Sequence, residues 1–183
     1  MKNVSSFILL AALLAFGVWL CVYTLFPNPQ KIIHQRLTKL ARTASFSSGE
    51  GNLARLAAAE DIAGYFATNV EVDINVPGRV QHTLMGRAEI QQAALGARER
   101  LSGLKVQFPD INITVAPDKQ SAVADLTIVV NIAGDRDSVV QEMKFTFQKT
   151  ADGWLITRVE TVRTLSSAIL HFALHRAPFI VTA

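Results

Sequence analysis

The sequence predicts an α+β domain in which three helices pack on a mainly antiparallel sheet, behind an N-terminal transmembrane helix. Three observations lead to this prediction. Residues 7–26 are uncharged and apolar, three later segments repeat apolar residues at helical spacing, and four long segments alternate apolar with polar residues. Spacings of 3.6 and 2 residues are the signatures of amphipathic helices and half-buried strands. We therefore expect one domain and one anchor in the 183 residues.

The apolar segment Phe7–Phe26 contains twenty residues and no charge. At a rise of about 1.5 Å per residue, a helix of this length spans about 30 Å, the thickness of the hydrocarbon core of a bilayer. A cleaved signal peptide is the alternative, but its apolar region is usually only about 7–15 residues long. No small-residue cleavage pattern precedes Pro27. The pattern therefore predicts a single-pass anchor within residues 1–27.

Basic residues are concentrated directly after this segment. The four that precede the first acidic residue are Lys31, Arg36, Lys39 and Arg42. From residue 46 onward the chain carries 13 basic and 15 acidic residues, so its net positive charge comes from the juxtamembrane part. Basic residues beside a span attract anionic headgroups. We expect these residues to contact membrane lipid, and we expect no nucleic-acid partner.

Two rules disagree on the side of the membrane that holds the domain. An excess of Lys and Arg after the span predicts the cytoplasmic side. A short N-terminal tail followed by a large domain is typical of a signal-anchor, which predicts export. We favour an extracytoplasmic domain, and the cytoplasmic alternative stays open.

The helices are predicted within the domain of residues 28–165. The first, a basic juxtamembrane helix at residues 28–45, begins at Asn28-Pro29. Its apolar face comprises Ile33, Leu37, Leu40 and Ala44. The second begins with Asn52 as its cap and extends to about residue 68, and its apolar face comprises Leu56, Ala59, Ile62, Ala63 and Phe66. The third begins at Gly86 and ends before Ser102-Gly103.

Strand signals occupy the rest of the domain. Strands are predicted at residues 70–76, 81–85, 104–116, 122–132, 138–149 and 154–163. The alternation of the third of these changes phase at Pro109, which predicts a bulge or bend there. Asp152-Gly153 is the turn that joins the last two strands into a hairpin.

The order of these elements resembles that of the nuclear transport factor 2-like (NTF2-like) superfamily, also called SnoaL or ketosteroid isomerase-like. The resemblance covers about residues 30–165 and rests on NVEVDINV after the second helix, GRAEI in the third helix, and FTFQKTADGWLI in the last hairpin. It implies a cone-shaped domain whose strongly bent sheet wraps around the helices and leaves an apolar cavity. It also implies frequent homodimerisation through the sheet. It does not imply one activity, because the fold hosts enzymes, transport factors and scaffolds.

Catalysis of the ketosteroid isomerase type is not expected. That chemistry needs a carboxylate base at the end of the first strand and two proton donors deeper in the cavity. The resemblance places Ile74 near the base position and Met143 near one donor, and it finds no tyrosine in the first helix. We therefore predict no catalytic residue, and an enzyme is the less favoured class.

The last hairpin supplies the main candidate ligand-binding residues. If it pairs without irregularity, Phe145 faces Arg158 and Met143 faces Glu160, all on the concave face of the sheet. A charged pair on a buried face is costly unless it is paired or functional. Both an ion pair at the rim and a ligand-binding pair stay open. A slip of one residue, or a bulge, would turn both charges outward.

Further candidates lie outside the hairpin. Tyr65 and His82 are predicted at the cavity mouth, where a small apolar ligand could bind, although Tyr65 could equally pack between helix and sheet. His171 and His175 share one helix face, but a zinc site needs further ligands. We therefore expect no metal and no cofactor. The apolar tail, residues 166–183, is too short to span a membrane and is expected to cover the cone or contact a partner.

These observations favour a membrane-tethered, non-catalytic binding or assembly module of an envelope complex. The alternative is a small-molecule enzyme of the isomerase, dehydratase or hydrolase type that uses the cavity. An enzyme predicts an enclosed cavity with at least two converging titratable groups. A scaffold predicts a filled interior and an apolar outer patch.

Overall fold

The computed structural model describes residues 16, 28–75 and 82–165. Within these ranges, the elements are α1 (Pro29–Ala44), α2 (Asn52–Ala63), β1 (Phe66–Ile74), β2 (His82–Met85), α3 (Gly86–Arg100), β3 (Leu104–Gln107), β4 (Ile111–Val115), β5 (Ser121–Ile132), β6 (Ser138–Thr150) and β7 (Gly153–Leu165). The predicted α+β class with three helices is confirmed. The predicted anchor, apart from Phe16, and the predicted tail at 166–183 lie outside the described residues. No helix in the described part is long and apolar enough to cross a membrane.

All seven strands belong to one sheet. Its order is β2-β1-β7-β6-β5-β3, and β4 also pairs with β5. The β1–β7 pairing is parallel and the other pairings are antiparallel, so the predicted mainly antiparallel sheet is confirmed. β3 and β4 pair with successive parts of β5 and are separated at Pro109, where the sequence predicted a bulge or bend within one strand.

α1 begins and packs as predicted. The side chain of Asn28 accepts a hydrogen bond from the backbone N–H of Gln30 at 3.0 Å, and Pro29 occupies the first turn. Both features satisfy the requirements of a helix start, where free N–H groups need acceptors and proline needs none. Ile33, Leu37 and Leu40 are buried as predicted, whereas Ala44 is only partly buried and Ala41 is buried in addition.

α2 differs from the predicted helix at both ends. Its cap residue is Gly51, so Asn52 is the first helical residue instead of the cap. Its last residue is Ala63, because β1 begins at Phe66, which pairs with Ile156 of β7. Strand pairing thus overrides the helical spacing that predicted a longer helix. Leu56, predicted to be buried, is 48% exposed.

β7 contains two irregularities in its pairing with β6. Phe147 pairs with Ile156 as predicted, but Thr146 pairs with Arg158, so Thr157 is an extra residue in β7. The second irregularity lies nearer the end of the strand. Such β-bulges bend a strand, increase its twist and exchange the faces to which later side chains point.

The hydrophobic core lies between the helices and one face of this sheet. The largest fully buried side chains are Phe147, Ile33, Leu37, Ile156 and Val70. They come from α1, β1, β6 and β7, so the first helix and the central strands of the sheet share the core. The opposite face, called the outer face below, carries Lys144 and Arg158.

Candidate functional site

Arg158 and Glu160 lie on the outer face, which corrects the predicted pairing. Because Thr157 is an extra residue, Phe145 pairs with Val159 instead of Arg158. Met143 likewise pairs with Thr161 instead of Glu160. The predicted alternation therefore fails beyond the pair Phe147–Ile156, and the two charges point away from the core. A ligand-binding role for them stays a prediction.

The outer face carries four charges in contact across three neighbouring strands. Arg158 Nε lies 3.3 Å from Glu160 Oε2, and its Nη1 lies 3.5 Å from Oε2 of Glu71 on β1. Lys144 Nζ, on β6, lies 3.6 Å from Glu160 Oε1. The four side chains are 36–50% exposed, so each pair contributes about 0–1 kcal/mol to stability. We call these four residues the charge network. Its main effect is on the charge pattern of the surface, and its contribution to the stability of the fold is small.

Val162 lies beside this network at the second bulge of β7. Met143 pairs with Thr161 and Glu142 with Arg163, so Val162 is the extra residue, and it is 62% exposed. It lines an open groove of about 310 Å³ whose acidic residues are Asp110, Asp125 and Glu142. The described outer face therefore carries exposed charges beside an exposed apolar residue, and Val123, Val129 and Val140 on the same face are partly buried.

The described core around Met143 and Phe145 is mostly apolar and closely packed beneath α1. Met143 and Phe145 are 5% and 4% exposed, and Phe145 contacts Phe108 edge-to-face at 6.3 Å between ring centroids. The enclosed space beneath α1, beside Tyr65 and Phe147, leaves no room for a water molecule. The choice between a scaffold and an enzyme stays a prediction.

Tyr65 and His82 have different environments from each other. The guanidinium of Arg36 lies over the Tyr65 ring, 5.3 Å from its centroid, which is a cation–π contact. Tyr65 therefore packs against α1, one of the two arrangements that the sequence left open. His82 begins β2 opposite Ile74, and its side chain lies outside the described part of the structure. A ligand contact by either residue stays a prediction.

Arg36 differs in setting from the other three basic residues of α1. It is partly buried over Tyr65, whereas Lys31, Lys39 and Arg42 are exposed. The lipid contact predicted for all four stays a prediction.

Gln141 is a buried polar residue that the sequence analysis did not single out. It is 7% exposed, and its Nε2 has no hydrogen-bond partner in the described structure. It lies on β6, two residues before Met143, and therefore on the core side of the sheet. A buried amide without a partner costs about 1–3 kcal/mol. Its spacing from Met143 and Phe145 was the available signal.

Arg98 is a second buried polar residue that the sequence analysis missed. It is 3% exposed, and its Nη1 donates to Glu50 Oε2 at 2.5 Å, while Nη2 donates to the carbonyl of Thr43. Its guanidinium lies 4.8 Å from the ring centroid of Phe46. Arg98 thereby joins α3 to the end of α1 and to the loop that follows. Its spacing of eight residues from buried Ile90 was the available signal.

The described residues contain no cluster of metal-ligating side chains. In the ranges 28–75 and 82–165, no group of three or more His, Cys, Asp or Glu residues could hold a metal ion. His171 and His175 lie outside those ranges. The expected absence of a metal and of a cofactor stays a prediction.

The chain is similar to known proteins in its three-dimensional structure. No protein-family model and no curated protein sequence matches it. An NTF2-like protein with a cystatin-like fold from Novosphingobium aromaticivorans is 22% identical, with 90% of this chain and 96% of that chain covered and a TM-score of 0.58. The yeast Ubp3-associated protein Bre5 is 14% identical, with coverages of 78% and 100% and a TM-score of 0.56. A Novosphingobium aromaticivorans protein provisionally assigned as a scytalone dehydratase is 15% identical, with coverages of 75% and 86% and a TM-score of 0.54.

These similarities establish the fold of the described domain. It is the NTF2-like, cystatin-like α+β fold, so the predicted resemblance is confirmed at this level. Identities of 14–22% carry no activity from those proteins to this chain.

Proposed function

We propose that this protein is a membrane-tethered, non-catalytic binding module whose NTF2-like domain recognises a protein partner through the outer face of its sheet. The observation that carries the proposal is the charge network, Glu71, Lys144, Arg158 and Glu160, exposed on three adjacent strands. Fixed, exposed charges of both signs give specificity to a protein interface more than they give affinity.

The distribution of polar groups supports surface recognition over interior chemistry. Catalysis in a cavity needs titratable groups that converge on a substrate. On the core side of β6, Met143, Phe145 and Phe147 are buried apolar residues, and the bulge at Thr157 turns the charges of β7 outward. Bre5, which shares the fold, was also solved as the cofactor in a complex with the deubiquitinase Ubp3. That protein is an example of the fold in a protein complex.

A second copy of this chain is the partner that fits the outer face best. The network runs from Glu71 on β1, through Arg158 and Glu160 on β7, to Lys144 on β6. Its acidic and basic ends therefore lie at opposite sides of the patch. In an isologous dimer the same patch meets itself about a two-fold axis, so the acidic end of one copy can face the basic end of the other.

The proposed tether is the apolar segment 7–26, which precedes α1. The α1 sequence contains no acidic residue, and Lys31, Lys39 and Arg42 are exposed on it. An exposed basic helix face next to a span suits anionic headgroups. Confinement to one membrane also raises the effective concentration of the domains and favours their pairing.

Fractionation of cell membranes at alkaline pH tests the tether. We expect the full chain to stay in the membrane pellet and a variant lacking residues 1–27 to appear, folded, in the soluble fraction. Release of the full chain by alkaline extraction would contradict the tether. A compartment-sensitive reporter fused after Ala183 should report the extracytoplasmic side, and cytoplasmic activity of the reporter would contradict the proposed topology.

Site-specific photo-cross-linking in the membrane tests the outer face. A photoreactive amino acid at Val162, which is 62% exposed beside the network, should give one discrete adduct with the mass of two chains. The matched control is Leu53 on α2, which is 84% exposed and apolar but lies off the sheet. An adduct from Leu53 alone, or none from Val162 in correctly inserted protein, would contradict recognition through the outer face. An adduct of another mass would retain that surface and replace the second copy by another protein.

A small-molecule enzyme is the second candidate function, and Gln141 is the observation that favours it. Its buried Nε2 could donate to a carbonyl or hydroxyl oxygen of a ligand that enters the cone. A thermal-shift screen of apolar carbonyl compounds against the full chain tests this alternative. A compound that stabilises wild type and Arg158→Met, but not Gln141→Leu, would favour the enzyme class. Equal responses of wild type and Gln141→Leu throughout the screen would count against it.

A further inference from the structure

A polar groove surrounds the loop that joins α1 to α2, remote in the fold from the charge network. It consists of two adjoining pockets of about 310 Å³ and about 300 Å³. Both are lined by Phe46, Ser47, Ser48 and Ser102. Each pocket alone reaches the lower limit of small-ligand sites, about 300 Å³. We call the pair the loop groove.

Basic residues outnumber acidic residues in the loop groove. Its basic residues are Arg55, Arg98, Arg100 and Lys105, and its acidic residues are Glu50 and Glu99. Glu50 is already paired with Arg98, which leaves the other three cations facing a single free carboxylate. The groove is therefore a positively charged concavity on a domain whose acidic and basic residues are otherwise nearly balanced.

Arg98 supplies a fixed positive charge at the base of this groove. Its contacts with Glu50, Thr43 and Phe46 hold the guanidinium in one position, and its Nε has no hydrogen-bond partner in the described structure. A charge that is already ordered costs no further side-chain entropy when an anion arrives. Arg55 is partly buried and Arg100 is exposed, so both are available to a ligand at the mouth.

The loop adds neutral donors to these charges. Ser47 and Ser48 are exposed and line both pockets, so their hydroxyl groups can reorient toward an acceptor. Ser102 is partly committed, because its hydroxyl donates to the carbonyl of Ala133 at 3.2 Å. Guanidinium and hydroxyl donors around one concavity are the groups that recognise tetrahedral oxyanions, since arginine binds phosphate oxygens in a bidentate manner.

We propose that the loop groove binds a phosphate group with two negative charges. Arg55 and Arg100 contact the phosphate oxygens directly, Ser47 and Ser48 donate hydrogen bonds, and Arg98 adds the fixed charge behind them. A dianion neutralises the excess of two positive charges that remains among the six ionised residues. The phosphate can belong to a soluble phosphorylated compound or to a lipid headgroup. Either source uses the same contacts.

Isothermal titration calorimetry of the full chain in detergent with inorganic phosphate tests the proposal. We expect one phosphate per chain, bound more tightly than chloride at equal ionic strength. Arg55→Gln/Arg100→Gln should weaken the binding at least tenfold, a loss of about 1.4 kcal/mol. The matched control is Arg136→Gln, an exposed arginine in the turn between β5 and β6, which should bind like wild type.

A second arm distinguishes the two sources of phosphate. The full chain is placed in phosphatidylcholine nanodiscs with or without phosphatidic acid, and the phosphate titration is repeated. Weaker phosphate binding in the presence of phosphatidic acid supports a lipid source, and equal binding in both discs supports a soluble source. Phosphate binding no tighter than chloride, or equal binding by wild type and Arg55→Gln/Arg100→Gln, would overturn the proposal.

Discussion

Arg158 and Glu160 form an ion pair on the outer face of the sheet, with 3.3 Å between Nε and Oε2. They reach this face because Thr157 is an extra residue in β7. Regular alternation would direct both side chains into the apolar interior, where an unpaired charge is costly. One bulge thus decides whether the hairpin builds an interior polar site or an outer binding surface.

Removing the arginine of this pair should change stability little. We expect Arg158→Ala to alter the free energy of unfolding by less than about 1 kcal/mol, because exposed ion pairs contribute little. Arg158→Met/Glu160→Leu should unfold close to wild type as well. Denaturant unfolding of the full chain in detergent, followed by circular dichroism, measures both. A loss of about 3–5 kcal/mol in the single variant that the double variant recovers would indicate a buried pair.

The opposite result is expected for the core residue beside this bulge. Phe147 is 1% exposed and packs beneath α1. Because the substitution would leave a cavity in the core, Phe147→Ala should lower the free energy of unfolding by about 3–5 kcal/mol. Val162→Ala, at a residue that is 62% exposed on the same hairpin, should stay within about 0.5 kcal/mol of wild type. A small loss for Phe147→Ala would mean that the interior is loosely packed and open to a ligand.

The parts of the fold that local signals determine were predictable. Asn28-Pro29 predicted the start of α1, the phase change at Pro109 predicted the break before β4, and Asp152-Gly153 predicted the last turn. Each depends on the conformational preferences of a few adjacent residues. Such preferences belong to the residues themselves and do not depend on the rest of the fold, so they can be recognised in the sequence.

The register of β7 depends on tertiary pairing and was predicted wrongly. Ile156 and Val159 are both buried but lie three residues apart, which one regular strand cannot direct to one face. That spacing is the signature of a bulge. The same kind of phase change was recognised at Pro109, where a proline marked it, but no proline or glycine marks Thr157. The residues that pack against β7, and not the local sequence, determine where the extra residue lies.

Buried polar residues were the other feature that the sequence did not reveal. Arg98 and Gln141 occupy positions whose spacing is that of the core, yet polar residues at such positions are usually assigned to the surface. Burial of Arg98 depends on partners that are distant in sequence, Glu50 and Thr43. A single sequence does not reveal that these groups meet.

The planar guanidinium group of Arg98 should be required to join α3 to the end of α1 and the loop that follows. Arg98→Met leaves the Thr43 carbonyl and the Glu50 carboxylate without this donor and should cost about 1–3 kcal/mol. Arg98→Lys should restore little, because one ammonium does not reproduce the guanidinium geometry. Arg100→Met, at an exposed neighbour, should lie within about 0.5 kcal/mol of wild type. Unfolding energies, with hydrogen exchange of residues 45–51, measure these effects, and wild-type behaviour of Arg98→Lys would contradict the role.

The turn glycine of the last hairpin should resist substitution. Gly153 has a φ of +99°, and a Cβ there would meet only Arg36 Nη1 at 3.7 Å, so Gly153→Ala is penalised by backbone strain and not by a clash. We expect a loss of about 1–2 kcal/mol. Gly96→Ala in α3, where a Cβ meets no atom within 4 Å, should instead stabilise the chain by about 0.5–1 kcal/mol. Equal effects of the two substitutions on thermal unfolding would contradict the described turn.

Cysteine labelling at position 158 measures whether the hairpin presents its charges on the outer face. In a Cys21→Ser background, Arg158→Cys in the native full chain, diluted in detergent until it is monomeric, should react with a maleimide about as fast as Arg136→Cys in the exposed β5–β6 turn. Phe145→Cys should react only on unfolding, because Phe145 is 4% exposed. Protection of Arg158→Cys to the level of Phe145→Cys would place position 158 in the interior and contradict the account.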